Sequence, residues 1–149
     1  MESEELEMFL KKEIPLTSSL GVRIKRLTPE KVELSAPLHP NHNHMGTAFG
    51  GSLSTLMILA GYTWLYQILL SRSGEVHVIL QSQEVRFLSP VQEDIHAICP
   101  SPDEHILQEF LRMYDRKGLA RIQLHTFIEI RGQKAAIMTG EFVAQRVNP

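Results

Sequence analysis

The hydrophobic pattern of the chain is dominated by one stretch, residues 45–71, which carries no charged side chain. Its apolar positions cover most faces of a helix instead of forming a single stripe. One face holds Leu53, Leu56, Met57, Ala60 and Trp64, and the other faces hold Ile58, Leu59, Tyr62, Leu65, Tyr66 and Leu69. A helix that is apolar all round is buried on every side, either in a protein core or in a membrane.

Polar residues within this helix favour the core. About 20 apolar residues can span a bilayer, but small and polar residues interrupt the segment at Ser52, Ser54, Thr55, Gly61, Thr63 and Gln67. The segments that follow alternate apolar and polar residues as strands do, and such strands need a partner to cover their apolar face. We therefore predict a buried core helix that ends near Ser73-Gly74, and no membrane association.

The other elements follow from periodicity and turn signals. Ser3 is placed to cap a first helix that ends before Pro15, and an amphipathic helix is predicted within 100–118. Strands are predicted at 20–27, 32–38, 76–88, 91–99, 120–131 and 134–146. Tight turns are predicted at 28–31, at Ser89-Pro90 between the third and fourth strands, and at Gly132-Gln133 between the last two strands.

This order of elements predicts an α+β fold, in which a curved antiparallel sheet wraps around the long central helix. The length suits a single domain, residues 1–149. A curved open sheet leaves edge strands and part of the helix uncovered, so a second copy is expected to complete the burial. A two-fold homodimer is the default form of such pairing, and a dimer of dimers stays open.

Composition narrows the function classes. A net charge of −2 argues against a nucleic-acid partner, because neutralising phosphates needs a basic surface. The acidic, amphipathic N-terminus does not resemble a signal peptide. The single cysteine, Cys99, excludes an internal disulfide framework and fits a reducing compartment. We expect a cytoplasmic protein in which Cys99 is a buried strand residue.

A motif leads into the central helix. The pattern N-x-x-G-T-x-x-G-G-S-L is present as Asn43, Gly46, Thr47, Gly50, Gly51, Ser52 and Leu53. It resembles the start of the central helix in hotdog-fold acyl-CoA thioesterases, and most closely the thioesterase family typified by the C-terminal domain of YiiD. Residues 84–91 also resemble the third strand and turn of that family. The resemblance implies a hotdog fold and an acyl group carried on CoA or on the phosphopantetheine of acyl carrier protein (ACP), with no further cofactor.

The start of the central helix is the predicted site. Unpaired N–H groups at a helix start, reinforced by the helix dipole, stabilise an oxygen that gains negative charge. Because Gly50 and Gly51 lack Cβ atoms, a ligand can approach this backbone closely. We expect the Gly51 N–H, with Gly50 nearby, to form an oxyanion hole, although the two glycines would also suit a tight turn between loop and helix.

Other candidate site residues come from the loop and from the third strand. The resemblance implies that Asn43 orients the thioester or a water, and an Asx-type turn explains this asparagine equally well. We expect Thr47, Phe49 and Ser52 to contact substrate. Gln81 and Gln83 are in phase with the apolar residues of their strand and are expected to face inward, where the partner subunit's site would use them.

The histidines of the loop invite a metal hypothesis, since His39, His42 and His44 lie close together in sequence. Their spacing lacks a fixed ligand geometry, and no neighbouring Cys or Asp adds a ligand. We therefore predict no metal site. His44 is expected to act as a hydrogen-bonding group and as the proton donor to an enolate.

One departure from the family pattern shapes the expected reaction. Related thioesterases carry Asp or Glu at the seventh residue beyond the second glycine, where this chain has Ile58, and many have His where it has Phe49. Without that carboxylate the usual base or nucleophile for hydrolysis is missing. Decarboxylation of malonyl-ACP to acetyl-ACP needs no base, because helix-end donors stabilise the resulting enolate. The resemblance implies the ACP-bound substrate and a role in priming fatty-acid synthesis, since some similar proteins are described as malonyl-ACP decarboxylases. We prefer this reaction; thioester hydrolysis and non-catalytic binding of acyl thioesters are the alternatives.

Overall fold

The computed structural model describes residues 1–147. Its helices are α1 (Ser3–Glu13), α2 (Leu16–Leu20), α3 (Gly50–Ser73) and α4 (Glu104–Lys117). Its strands are β1 (Arg23–Thr28), β2 (Lys31–Ala36), β3 (Val76–Phe87), β4 (Ile95–Pro100), β5 (Leu119–Ile130) and β6 (Gln133–Arg146).

All six strands belong to one antiparallel sheet with the order β1-β2-β4-β5-β6-β3. Helix α3 packs against β2, β3, β4, β5 and β6, so the sheet covers it along most of its length. The predicted α+β architecture is confirmed. By length and hydropathy α3 also qualifies as a membrane span, but 61% of its most apolar window is buried inside the domain. It is the core helix.

Two polar contacts and one close approach fix α3 against the sheet. The fully buried Trp64 donates its Nε1–H to the Pro29 carbonyl oxygen at 2.8 Å. One turn later Gln67 donates its amide to the Thr28 carbonyl oxygen at 2.7 Å. Gly61 lies so near the sheet that an added Cβ would stand 2.8 Å from Cζ of Phe142. The helix therefore has one fixed position relative to the turn between β1 and β2.

Helix α4 forms as its sequence predicts, within shorter bounds. Asp103 is the N-cap and accepts a hydrogen bond from the His105 N–H at 2.9 Å. Gly118 ends the helix with a left-handed φ of 69°, a conformation that glycine adopts without steric cost. The side chain of Tyr114 on its buried face shares a hydrogen bond with Ser73 at the end of α3.

Two predictions near the N-terminus are wrong. Ser3 is the first helical residue of α1 and not its cap, because the cap position falls on Glu2, which makes no side-chain capping bond. Leu20 ends the short helix α2 and does not begin a strand. Gly21 then takes a left-handed φ of 74°, and β1 begins only at Arg23. A one-turn helix is too short for hydrophobic periodicity to reveal.

The predicted hairpin at Ser89-Pro90 is also wrong. Strand β3 pairs with β6, while β4 lies between β2 and β5, so the segment after β3 crosses to another part of the sheet. Serine and proline mark a change of direction, but they do not choose the pairing partner. The turn between β5 and β6 does form a two-residue hairpin, with positive φ at Arg131 and Gly132.

Candidate active site

The start of α3 leaves two backbone donors free. Phe49 is the N-cap in an extended conformation, and its carbonyl oxygen accepts the N–H groups of Ser52 and Leu53 at 3.0 and 3.1 Å. Among residues 1–147, no acceptor lies within hydrogen-bonding distance of the N–H of Gly50 or Gly51. Both groups sit at the positive end of a 24-residue helix. They can therefore donate to an anionic or carbonyl oxygen of a ligand.

Two exposed aromatic rings flank these donors. The ring of Phe49 lies so close over Gly51 that a Cβ there would overlap it. The ring of Phe87 at the end of β3 approaches Gly50 from the sheet side, 3.4 Å from where a Cβ would stand. Phe49 and Phe87 are 58% and 56% exposed, which is unusual for phenylalanine. Because neither glycine has a Cβ, both the aromatic rings and a ligand can approach the backbone of Gly50 and Gly51.

A cleft of about 360 Å³ opens beside the donors. It is lined by Thr47, Ala48, Gly50, Leu53, Phe87, Leu88, Ser89, Pro90 and Val91. Of these described lining residues, none carries an ionisable side chain. The cleft therefore combines helix-end donors with apolar walls and offers no base of its own.

Asn43 is occupied within its loop. Its Oδ1 accepts the backbone N–H groups of Met45 and Thr47 at 2.9 and 3.2 Å, and its Nδ2 donates to Oγ1 of Thr47 at 2.8 Å. These are the bonds of an Asx-type turn. The structure places Asn43 in the loop that precedes the site, and its part in the chemistry stays a prediction.

Sequence reasoning missed Asn41, the residue that fixes the start of the helix. Asn41 is buried, and its Nδ2 donates to the carbonyl oxygens of Leu20 and Pro37 at 2.8 and 2.9 Å. Its own carbonyl oxygen accepts the Phe49 N–H at 2.7 Å. Two residues from Asn43 in a polar loop, Asn41 carries no signal in sequence that sets it apart.

The remaining predicted residues divide into accessible and buried groups. Thr47 lines the cleft, and His44 is exposed on the loop. Ser52 is only 8% exposed, so its side chain is largely turned away from solvent. Ile58 is half-buried further along α3. The rings of His39 and His42 stack at 5.3 Å, and within residues 1–147 no three His, Cys, Asp or Glu side chains are grouped to hold a metal ion.

A bulge in β3 separates the two glutamines. The pairing with β6 shifts between Leu80 and Ser82, which leaves Gln81 without an opposite residue. Gln83 pairs with the buried Gly140 and its amide oxygen accepts a hydrogen bond from the Ser54 hydroxyl at 3.4 Å. Gln83 thus reaches α3 through Ser54, but it is exposed and not turned into the interior as expected, and its part in the site stays a prediction. The prediction that Gln81 and Gln83 lie in the same phase of one uninterrupted alternation is wrong. The bulge adds one residue to β3 and so breaks the alternation of side chains between the two faces.

Cys99 is fully buried on β4, as expected. Burial raises the pKa of its thiol to about 12, since the charged thiolate loses solvation there. The thiol is therefore protonated at neutral pH and is not a nucleophile.

Comparison with known proteins places this chain in a family. Residues 3–146 match the family described as "Putative thioesterase (yiiD_Cterm)". A Chlorobaculum tepidum protein described as having unknown function is 28% identical, with a TM-score of 0.89 over 97% of this chain and 94% of that one. A Shewanella oneidensis protein described as a putative thioesterase is 22% identical, with a TM-score of 0.82 over 96% of each chain. A Pseudomonas aeruginosa protein described as a probable thioesterase is 24% identical, with a TM-score of 0.78 over 97% of this chain and 96% of that one.

The chain belongs to the YiiD C-terminal-type thioesterase family, because that family model spans nearly its whole length. Its fold is the hotdog fold of the thioesterases. The expectation drawn from the N-x-x-G-T-x-x-G-G-S-L motif is confirmed at the level of family and fold.

Proposed function

We propose that this protein acts on acyl thioesters of ACP or CoA, with the thioester carbonyl oxygen held by the N–H groups of Gly50 and Gly51. The observation that carries the proposal is the pair of unpaired donors at the start of α3, where Gly50 lines a cleft without ionisable side chains. Donors aimed at an oxygen that gains charge stabilise the transition state more than the ground state. Carbonyl activation at this helix start is common to every reaction considered below.

The preferred reaction is decarboxylation of malonyl-ACP. The bond between the carboxylate carbon and the α-carbon breaks, carbon dioxide leaves, and the electron pair moves onto the thioester oxygen as an enolate. The helix-end donors stabilise that oxygen, and a proton from His44 or water then converts the enolate to acetyl-ACP. No base is required, which agrees with Ile58 at the position of the missing carboxylate. Apolar walls also disfavour the localised malonyl carboxylate more than the delocalised enolate.

Thioester hydrolysis is the second candidate, and the family description favours it. Hydrolysis needs a water activated near the carbonyl carbon. With no ionisable side chain among the described residues of the cleft, a group from outside it would have to activate this water.

The reaction is tested by mass spectrometry of malonyl-ACP, malonyl-CoA and a panel of acyl-CoAs incubated with the purified protein. Loss of carbon dioxide with an intact thioester supports decarboxylation, whereas release of free thiol supports hydrolysis. A protein that changes none of them overturns both enzymatic candidates.

The donors are tested with two substitutions at Gly50. Gly50→Pro removes one N–H but fits the first helical position, since proline is favoured there and the preceding Phe49 is already extended. Gly50→Ala adds a Cβ while keeping the N–H, and so controls for bulk beside Phe87. We expect turnover by Gly50→Pro to fall by about 10²–10³-fold and that of Gly50→Ala to fall far less. Equal activity in the two variants would refute the role of the Gly50 donor.

A further inference from the structure

Two of the six phenylalanines of the chain are exposed, and both lie at the start of α3. They are Phe49 and Phe87, which are more than half exposed, while the other four are buried or half-buried. Phenylalanine is normally one of the residues that folding removes from water. Exposed apolar side chains that are gathered at one place mark a binding surface. The position of the two rings therefore indicates a ligand that covers them.

Local stability does not explain either ring. Phe49 is the N-cap of α3 and makes no side-chain capping bond, although Ser, Thr, Asp or Asn at this position would supply one. Phe87 lies opposite Ala136 in the pairing of β3 with β6, and alanine is too small to cover a phenylalanine ring. Neither ring is buried by the domain, so both remain available to a ligand.

Each ring adjoins one of the two donor residues. In Phe49, Cδ2 and Cζ lie 3.0 and 3.3 Å from where a Cβ on Gly51 would stand. In Phe87, Cζ and Cε1 lie 3.4 and 3.6 Å from the corresponding point on Gly50. Consecutive residues of a helix point about 100° apart around its axis. The two rings therefore flank the helix start on different sides, whereas the free N–H groups point along the axis.

A ligand oxygen that is bound to these donors brings its neighbouring atoms close to the rings. A carbonyl oxygen accepts a hydrogen bond at about 2.9 Å from the donor nitrogen, and its carbon is only about 1.2 Å further away. In a thioester this carbon carries sulfur on one side and the α-carbon on the other. The atoms beside the rings are thus the ones that distinguish a thioester from an oxygen ester.

We propose that Phe49 and Phe87 form an aromatic clamp on the thioester group, in which ring contact with the sulfur gives the site a preference for thioesters over oxygen esters. This inference rests on the proposed function. Sulfur is polarisable and makes favourable contacts with aromatic rings at about 5 Å, and an ester oxygen lacks this interaction. The rings also exclude water from the donors, which strengthens their hydrogen bonds to an oxygen that gains charge.

The test is the ratio of kcat/KM for a thioester to kcat/KM for the matching oxygen ester, in which oxygen replaces the sulfur of the same pantetheine arm. Substitution of phenylalanine by leucine keeps an apolar side chain but removes the ring. We expect Phe49→Leu, Phe87→Leu or both to lower this ratio by about 2–10-fold. The variant with the lowered ratio identifies the ring that contacts the sulfur. A ratio unchanged in both variants and in the double variant would overturn the clamp.

The ratio also separates ring contact from general damage. A disturbed site lowers both rates together, so that the ratio stays the same. Phe127→Leu is the matched control, because its ring lies under Nζ of Lys134 at 4.5 Å and outside the cleft. The neighbouring Ile128 is fully buried, so Phe127 points to the other face of the sheet. An equal fall of the ratio in Phe127→Leu would contradict a specific contact at the helix start.

Binding distinguishes failure of the clamp from failure of the proposed function. Acetyl-CoA and its analogue with oxygen in place of the thioester sulfur are titrated calorimetrically into the unchanged protein and the leucine variants. We expect the unchanged protein to bind acetyl-CoA more tightly by about 2–10-fold, and the variant with the lowered ratio to lose this difference. A protein that turns over no thioester but shows this preference overturns only the catalytic proposal. An active protein with equal affinity for both compounds overturns the clamp, and one that binds neither overturns both.

Discussion

The ring of Phe142 fills the space where α3 comes nearest the sheet, and its fit can be tested by a double-mutant cycle. Phe142 is fully buried. Its Cζ lies 2.8 Å from where a Cβ on Gly61 would stand, and its Cε2 lies 3.0 Å from the corresponding point on Gly140. Glycine at 61 costs the helix about 1 kcal/mol relative to alanine, so the phenylalanine ring is the physical reason for its presence.

The cycle combines Gly61→Ala with Phe142→Leu. When Phe142 is retained, the Cβ added by Gly61→Ala overlaps its ring. Overpacking then costs about 1–3 kcal/mol, which outweighs the gain in helix propensity. Phe142→Leu alone leaves a gap and is expected to cost about 2 kcal/mol, less than the 3–5 kcal/mol typical of Phe→Ala. Leucine has no atom at the Cζ position, so alanine at 61 then fits. The double variant should be about 1 kcal/mol more stable than Phe142→Leu.

The measurement is urea unfolding followed by the fluorescence of Trp64, the only tryptophan of the chain and a fully buried one. A difference of 1 kcal/mol moves the midpoint by about 0.5 M for a typical slope. Val143→Ala is the matched control, because the neighbouring residue is only half-buried and should combine additively with Gly61→Ala. If Gly61→Ala stabilises the unchanged protein and adds to Phe142→Leu without coupling, the packing argument is refuted.

Two other predictions concern polar groups. Asn43→Asp keeps the Oδ1 acceptor and can accept a hydrogen bond from the Thr47 hydroxyl, so its activity should stay within about tenfold of the unchanged protein. Asn43→Ala removes these bonds and should lose both the loop conformation and turnover. An inactive Asn43→Asp with an intact fold would instead indicate that the amide acts on substrate. For Glu7, burial alone would raise the pKa, but the Ile24 N–H and two neighbouring cations together lower it. Its contribution is therefore present above the unfolded pKa near 4.3 and lost as pH falls through the folded value. Glu7→Gln should destabilise by about 1–3 kcal/mol at pH 7, and this difference should shrink as the pH is lowered through the folded pKa. A difference that stays constant on acidification would count against the ion pairs.

The sequence predicted the features that depend on local pattern. The charge-free stretch, its all-round apolarity and the Gly50-Gly51 pair led to the buried helix and to donors at its start. The pairing of β3 with β6 did not follow, because partners far apart in sequence are chosen by the packing of the whole sheet. The bulge after Leu80 likewise depends on the partner strand.

Other features were hidden for a similar reason. Asn41 acts by donating to the backbone carbonyl groups of Leu20 and Pro37. Every residue type has such a carbonyl group, so the sequence does not show which ones Asn41 will meet. The stacking of Phe9 on Tyr66 joins residues from α1 and α3 and becomes visible only when both helices are placed. Hydrophobic periodicity predicts that such residues are buried in the core. It reports which positions are apolar, but not whether a cavity lies beside them.

The bonds of Asn41 have a consequence for ligand binding. Because the Asn41 side chain is held by Leu20 and Pro37 while its backbone carbonyl oxygen accepts the Phe49 N–H, the start of α3 is fixed before any substrate arrives and the two donors are preorganised. A ligand then orders little of the protein on binding, and less of its interaction free energy is lost to conformational entropy. The free and ligand-bound backbones around the helix start should consequently superpose closely, which makes this end of the molecule a rigid template.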